Sequence, residues 1–184
     1  MSSFYAAPHH DADEDPLIVT AAFDAAASAR FQALRQAHYP AELNRVPAHL
    51  TLFHKLPGRL AGEVEDALAE EGWRLDPLPA RAVGLRFTGR GVSVEIDAPA
   101  LCAVRDRLAR LWSGLLTPQD RQRFAPHVTI QNKVPPSKAR RTHMGLSAIF
   151  EPFAFTLEGL QMWAYRGGPW EEAGLFPFGG GPAA

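Results

Sequence analysis

Apolar positions along the chain switch between two periods. Leu17 to Phe23 (LIVTAAF) is a short continuous run of the kind that forms a buried strand. Asp24 then caps a helix whose apolar stripe holds Ala27, Phe31 and Leu34. His49 to Leu56 reads as a strand between Pro47 and the Pro57-Gly58 break. Leu60, Val64, Ala67 and Leu68 recur at helical spacing, with Gly72 as the stop. Val83, Leu85 and Phe87 alternate, as do Val92, Val94 and Ile96, and Gly89-Arg90-Gly91 between them is hairpin punctuation. Asp97 and Pro99 open the clearest helix, with Leu101, Val104, Leu108, Leu111, Trp112 and Leu115 on one face. A second half follows in a similar rhythm. His127 to Val134 is a strand, Ser137 caps a basic helix to about Phe150, and Phe153 to Tyr165 and Trp170 to Phe178 are strands turned at Gly167-Gly168. Several strands are joined by hairpins, so the pattern predicts an α+β fold with mostly antiparallel sheet rather than a doubly wound parallel one.

One segment occurs twice. His49-Leu50-Thr51-Leu52-Phe53-His54-Lys55-Leu56-Pro57 returns as His127-Val128-Thr129-Ile130-Gln131-Asn132-Lys133-Val134-Pro135. His, Thr, Lys and Pro coincide, and three more positions pair aliphatic with aliphatic. With seven His and seven Thr in 184 residues, composition alone predicts roughly 0.3 His-x-Thr tripeptides. Two are present, and two of only three lysines sit at the same offset from them.

Strand geometry assigns a purpose to the repeat. Side chains alternate faces, so His49, Thr51, Phe53 and Lys55 are expected on one face, with Leu50, Leu52, His54 and Leu56 on the other. Each half then presents an imidazole and a hydroxyl roughly 6.5–7 Å apart along the strand. Brought together about a pseudo-twofold axis, the halves would place two imidazoles on opposite sides of a small site. Imidazole titrates near ~6.5, so one can be neutral while its partner is protonated. The neutral ring can take a proton from water or a hydroxyl, and the charged ring can protonate a leaving oxygen. The threonine hydroxyls can donate to phosphoryl oxygens between them. This chemistry needs no metal and no cofactor.

Charge and composition narrow the setting. Apolar residues are 46% of the chain, charged residues 21%, and the formal net charge is -1, which excludes wholesale disorder and a protein that coats nucleic acid by charge alone. Cys102 is the single cysteine, so neither an intramolecular disulfide nor a thiolate cluster can form. Apolar runs fall short of the ~20 residues of a membrane span, and no signal-peptide pattern is read at the start; a cytoplasmic setting with no membrane and no obligate protein partner is expected. Residues 1–15, acidic and holding His9-His10, are expected to be a disordered tail, 16–178 a single bilobal domain, and 179–184 a flexible tail. From Val104 to Arg141 there are nine Lys or Arg and two Asp, a stretch that forms either two exposed helix faces or a basic rim steering a polyanion. Trp163, Tyr165 and Trp170 can stack a base or pack a core.

The paired motifs His49-Leu50-Thr51-Leu52 and His127-Val128-Thr129-Ile130 resemble the signature of the two-histidine (2H) phosphoesterase superfamily, in particular its bacterial 2′-5′ RNA ligase or RNA 2′,3′-cyclic phosphodiesterase branch. Tyr165-Arg166-Gly167-Gly168-Pro169-Trp170 is also similar to bacterial members. The resemblance implies two similar α+β lobes of mostly antiparallel sheet with flanking helices about a pseudo-twofold cleft. It implies His49 and His127 as catalytic residues, Thr51 and Thr129 as phosphate-binding ones, and an RNA end or small cyclic nucleotide as substrate. Where some relatives carry an arginine shortly after the second motif, this chain has Asn132 and Lys133; Lys133, with Lys55 in the first motif, is a candidate for substrate binding. Two other readings are a catalytically silent RNA-end or nucleotide-binding module and a metallohydrolase, the latter without a His-Glu-x-x-His or a closely spaced carboxylate set to support it.

Overall fold

The computed structural model describes residues 15–180, so the His9-His10 segment and the last four residues lie outside the described part. Seven strands form: β1 (Leu17–Phe23), β2 (Leu50–Leu56), β3 (Leu78–Phe87), β4 (Val92–Asp97), β5 (His127–Gln131), β6 (Phe153–Ala164) and β7 (Glu171–Pro177). Four α-helices accompany them: α1 (Ala25–His38), α2 (Ala61–Arg74), α3 (Pro99–Leu111) and α4 (Pro136–Ser147). All strands join one antiparallel sheet in the order β2-β1-β6-β3-β4-β5, with β7 paired to β6. Along one edge, β6 pairs with β3 through Phe153–Leu157 and with β7 from Gly159 onward, which accommodates the seventh strand.

The order of elements explains how two halves make one sheet. β1-α1-β2-α2-β3 and β4-α3-β5-α4-β6 are the same succession, but each half gives its third strand to the other. β3 pairs with β4, and β6 pairs with β1. The two expected lobes are therefore the three-stranded groups β2-β1-β6 and β3-β4-β5, joined where β6 meets β3. The motif strands β2 and β5 sit at opposite ends of this order and still touch, because the sheet curls. One hydrophobic core runs through both groups and includes Leu50, Phe53, Val128, Ile130, Leu157 and Leu160. Phe31 of α1 seals one end, its ring 5.1, 5.5 and 5.4 Å from those of Phe23, Phe153 and Phe155.

Local signals account for most boundaries. Asp24 Oδ1 accepts from the Ala27 amide at 2.7 Å, while its Oδ2 accepts from the Thr156 amide, so the α1 cap is also a tie to β6. Gly89 takes the hairpin with φ +83°. Gly72, by contrast, does not end α2, which continues to Arg74. A Cβ there would stand 2.7 Å from the Pro177 carbonyl oxygen, so this glycine serves close packing against the end of β7. β5 stops at Gln131 rather than Val134 because Lys133 adopts φ +60°. α4 begins at Pro136, with Pro135 as its cap residue and without a side-chain cap from Ser137. Leu111, expected on the buried face of α3, is 65% exposed at the helix end. Asp15, grouped by composition with the tail, is buried and accepts from Arg166 Nε at 2.8 Å. Among the described residues no helix is long and apolar enough to cross a membrane.

Candidate active site

The two motif strands repeat in structure as well as in sequence. From His49 to Leu56 and from His127 to Val134, the alternation of buried and open positions is identical at all eight places. Both strands also leave strict alternation at the same point. Pairing of β2 with β1 shifts register on both sides of Val19, and pairing of β5 with β4 shifts between Val92–Gln131 and Ser93–Thr129. Each motif strand thus carries a bulge just after its threonine, which re-aims the following side chains. Phe53, expected beside His49 and Thr51, is instead fully buried against Trp112 and under the Arg105 guanidinium. Gln131 is its buried counterpart. His54, expected on the packing face, turns into the cleft.

The imidazoles are held alike. His49 Nδ1 lies 2.7 Å from the Pro47 carbonyl, and His127 Nδ1 lies 2.9 Å from the Ala125 carbonyl. A carbonyl only accepts, so Nδ1 carries the hydrogen in both rings and Nε2 is left as the working atom. Burial pushes the His49 imidazole down to about 4, with the charges of Arg35, His54 and His127 adding to the effect against the Pro47 bond. Its ring packs on Trp170 at a centroid distance of 4.5 Å. His127 is also lowered by burial, and by Arg86 and His54, but Glu95 acts in the opposite direction. Glu95 is the β4 residue directly opposite His127 in the ladder.

A cleft of about 300 Å³ is lined by Thr51, His54, Arg86, Gln119 and His127, among others. Thr129 Oγ1 meets Ser93 Oγ at 3.3 Å. Arg86, on β3, has a buried Nε without a hydrogen-bond partner, a donor suited to an anion. Of the two candidate lysines, Lys55 borders a neighbouring cavity and Lys133 stands in the left-handed turn beyond β5, exposed and outside both cavities. Each motif strand is gripped by a buried arginine from the other half. Arg105 of α3 donates through Nε to the Leu52 carbonyl at 2.9 Å, and Arg35 of α1 donates through Nη1 to the Thr129 carbonyl at 2.8 Å. These clamps hold the bulged strands at a fixed separation.

His54 has its own support. Its Nδ1 is 3.0 Å from Oδ1 of Asp120, which also accepts from the His54 amide at 2.9 Å. Asp120 Oδ2 accepts from the Lys55 amide and the Thr117 hydroxyl at 3.2 and 3.1 Å. Burial opposes the charge on Asp120, but the bonds from His54 and Thr117 prevail and hold the carboxyl below its ordinary range. Sequence put His54 on the packing face and did not single out Arg86 or Asp120. Arg86 occupies an ordinary polar position within an alternating strand, and Asp120 lies 66 residues from His54 with no motif between them. The basic stretch is likewise divided by the fold: Arg105 is buried, Arg107 pairs with Glu71, Arg123 lines the cleft, and Arg121 borders a cavity beside it. Trp163 donates to Thr20 Oγ1 within the sheet, leaving Tyr165 and Trp170 at a cavity wall. Among the described residues, no group of three or more His, Cys, Asp or Glu is placed to hold a metal ion.

Comparison with known proteins gives this geometry a context. A family model described as the 2′-5′ RNA ligase superfamily matches residues 23–169. No curated protein sequence matches the chain. Among solved structures, TT0787 of Thermus thermophilus is similar over 89% of this chain and 97% of its own, with 16% identity and a TM-score of 0.58. E. coli LigT complexed with 3′-AMP is similar over 90% of this chain and 98% of its own, with 17% identity and a TM-score of 0.55. LigT complexed with phosphate gives 90%, 99%, 17% and 0.52 for the same quantities. At these identities the likeness concerns the fold.

Proposed function

The chain belongs to the 2′-5′ RNA ligase superfamily, and on that premise we propose that it is a metal-independent phosphoesterase acting on a 2′,3′-cyclic or 2′-linked phosphodiester of RNA or a nucleotide. The observation that carries this reading is the matched pair of Nδ1 hydrogen bonds on His49 and His127, which leaves two Nε2 atoms free for proton transfer. In the proposed reaction the neutral ring takes a proton from water through Nε2 as the water oxygen bonds to phosphorus. The bond from phosphorus to the ribose 3′-oxygen breaks, and the protonated ring delivers its Nε2 proton to that oxygen. The product is a 2′-phosphate, and the two rings have exchanged protonation states. Thr51, Thr129 and the unpartnered Arg86 Nε hold the phosphoryl oxygens.

The surroundings favour one allocation of roles. His49, pushed down to about 4 by burial, is the general base. His127, opposite Glu95, regains a proton first when an anionic phosphate enters and is the general acid. With a 5′-hydroxyl end in place of water as the nucleophile, the same steps join RNA through a 2′-5′ linkage, the 3′-oxygen again leaving with the proton from the acid. LigT, a structural relative, has been crystallised with 3′-AMP and with phosphate, ligands of the size and charge proposed here.

The test is product analysis on RNA ending in a 2′,3′-cyclic phosphate, in the presence of a chelator. A 2′-phosphate product, lost in His49→Ala and in His127→Ala, is the expected result. Affinity for the RNA end without turnover would identify a silent binding module instead. Activity abolished by chelation and restored by metal would identify a metallohydrolase.

A further inference from the structure

The cleft is built from a repeat, yet its surroundings are asymmetric at one position. His54 in the first motif corresponds to Asn132 in the second. Asn132 turns its Oδ1 back to the Lys133 amide at 2.7 Å and serves the local turn. His54 does the opposite: its Nδ1 is committed to the buried Asp120 carboxylate, and the ring is held with Nε2 free. The pattern repeats what Pro47 and Ala125 do for His49 and His127, so three imidazoles are fixed through Nδ1.

Position gives this third ring a use. His54 and Gln119 line the cleft that holds Thr51, Arg86 and His127, and they also line an adjoining cavity of about 570 Å³. That second cavity is walled by Ile18, Pro118, Tyr165 and Trp170 and is mostly apolar. Trp170 also ties this cavity to the start of the first motif, since its ring packs on His49. A phosphate alone needs only the symmetric part of the site. An apolar, aromatic-walled space reached past a polar junction suits a ribose carrying a base.

We propose that His54, fixed by Asp120, is a specificity-determining residue whose Nε2 hydrogen-bonds the nucleoside of the substrate, with the base in the cavity walled by Tyr165 and Trp170. This rests on the phosphoester reading above and puts the nucleoside of its substrate on the His54 side of the cleft. Asp120 is a positioning residue that acts through His54.

Equilibrium binding tests it without requiring turnover. Adenosine 2′-monophosphate and inorganic phosphate are titrated calorimetrically into wild type and His54→Ala at neutral pH. The variant should lose about tenfold or more in affinity for the nucleotide, the loss expected of one hydrogen bond, and less than about twofold for phosphate. In wild type, the His54 Nε2 resonance should move on adding the nucleotide and stay still on adding phosphate, a readout independent of how the variant folds. Equal losses for both probes would make His54 a phosphate ligand or a loop anchor and overturn the proposal. So would an unmoved Nε2 resonance, or a wild-type protein that binds the nucleotide no tighter than phosphate. If the nucleotide binds through His54 but cyclic phosphate is not turned over, the reaction fails and this assignment stands.

Discussion

Replacing Trp170 by alanine removes the aromatic cover from His49, whose ring lies 4.5 Å from the indole. Burial is the main cause that takes this imidazole from 6.5 to about 4. Readmitting water should therefore raise it toward its ordinary value. The full recovery would be 6.5 minus 4, roughly 2.5 pH units, and because Trp170 is one wall of several, a rise of about one to two units is expected. The catalytic consequence follows from the base role proposed for His49. At pH 5.5 an imidazole titrating at 6.5 is ~9% neutral, whereas one at about 4 is ~97% neutral, a difference of about tenfold in competent base.

The assay is kcat/KM for a 2′,3′-cyclic phosphate against pH, which reports the free enzyme. In wild type the low-pH limb should lie near 4, with the high-pH limb below 6.5 because His127 is also lowered. The bell thus falls on the acid side of ordinary imidazole. In Trp170→Ala the low-pH limb should move up while the shape above it persists; the position of the limb is the readout, since its height also carries substrate affinity. The two rings are close enough to couple, so the limbs belong to the pair, and histidine NMR assigns them. A wild-type limb at 6.5, or one that stays put in a folded Trp170→Ala protein, would refute burial as the cause.

Other expectations are simpler. His49→Ala and His127→Ala should each lower cyclic-phosphate hydrolysis by ~10²–10⁴-fold, with the double variant little worse than the poorer single one, measured by steady-state kinetics. Thr51→Val and Thr129→Val should each cost ~1.5–3 kcal/mol of transition-state binding; Thr129→Val alone also breaks the contact with Ser93 and should show the larger change in Tm. Arg86→Met should weaken inorganic phosphate binding in calorimetry without lowering Tm, because the Nε it removes has no partner to lose; a large fall in Tm would make Arg86 structural. Lowered histidines mean that the unfolded chain binds more protons than the folded one between their folded and unfolded values. Stability should then be complete above 6.5 and decline as pH falls toward 4, and a thermal-denaturation series flat across that window would contradict the placement of His49.

Much of this molecule could be read from residue order. The strands at Leu17–Phe23 and Val92–Asp97, the hairpin at Gly89, the Asp24 cap and the α+β class follow from local periodicity and turn chemistry, which short segments carry by themselves. The doubled His-x-Thr segment, of which Thr51 and His127 line the cleft, is legible because a repeat of residue types at fixed offsets survives any detail of folding. Other features depend on contacts between distant segments. The exchange of β3 and β6 between halves is a choice of strand partners, and hydrophobic alternation is the same whichever neighbour a strand finds. The bulges that bury Phe53 and bring His54 into the cleft are mismatches of length between paired strands, invisible in either strand alone. Arg86 and Asp120 acquired their places by the same route, from β3 and from the loop before β5. Sequence could propose the two histidines as candidates, since the chemistry of an imidazole is written in its side-chain type. Their proton affinities and the third imidazole beside them arise from desolvation and from charges on other elements, and those are properties of packing in three dimensions.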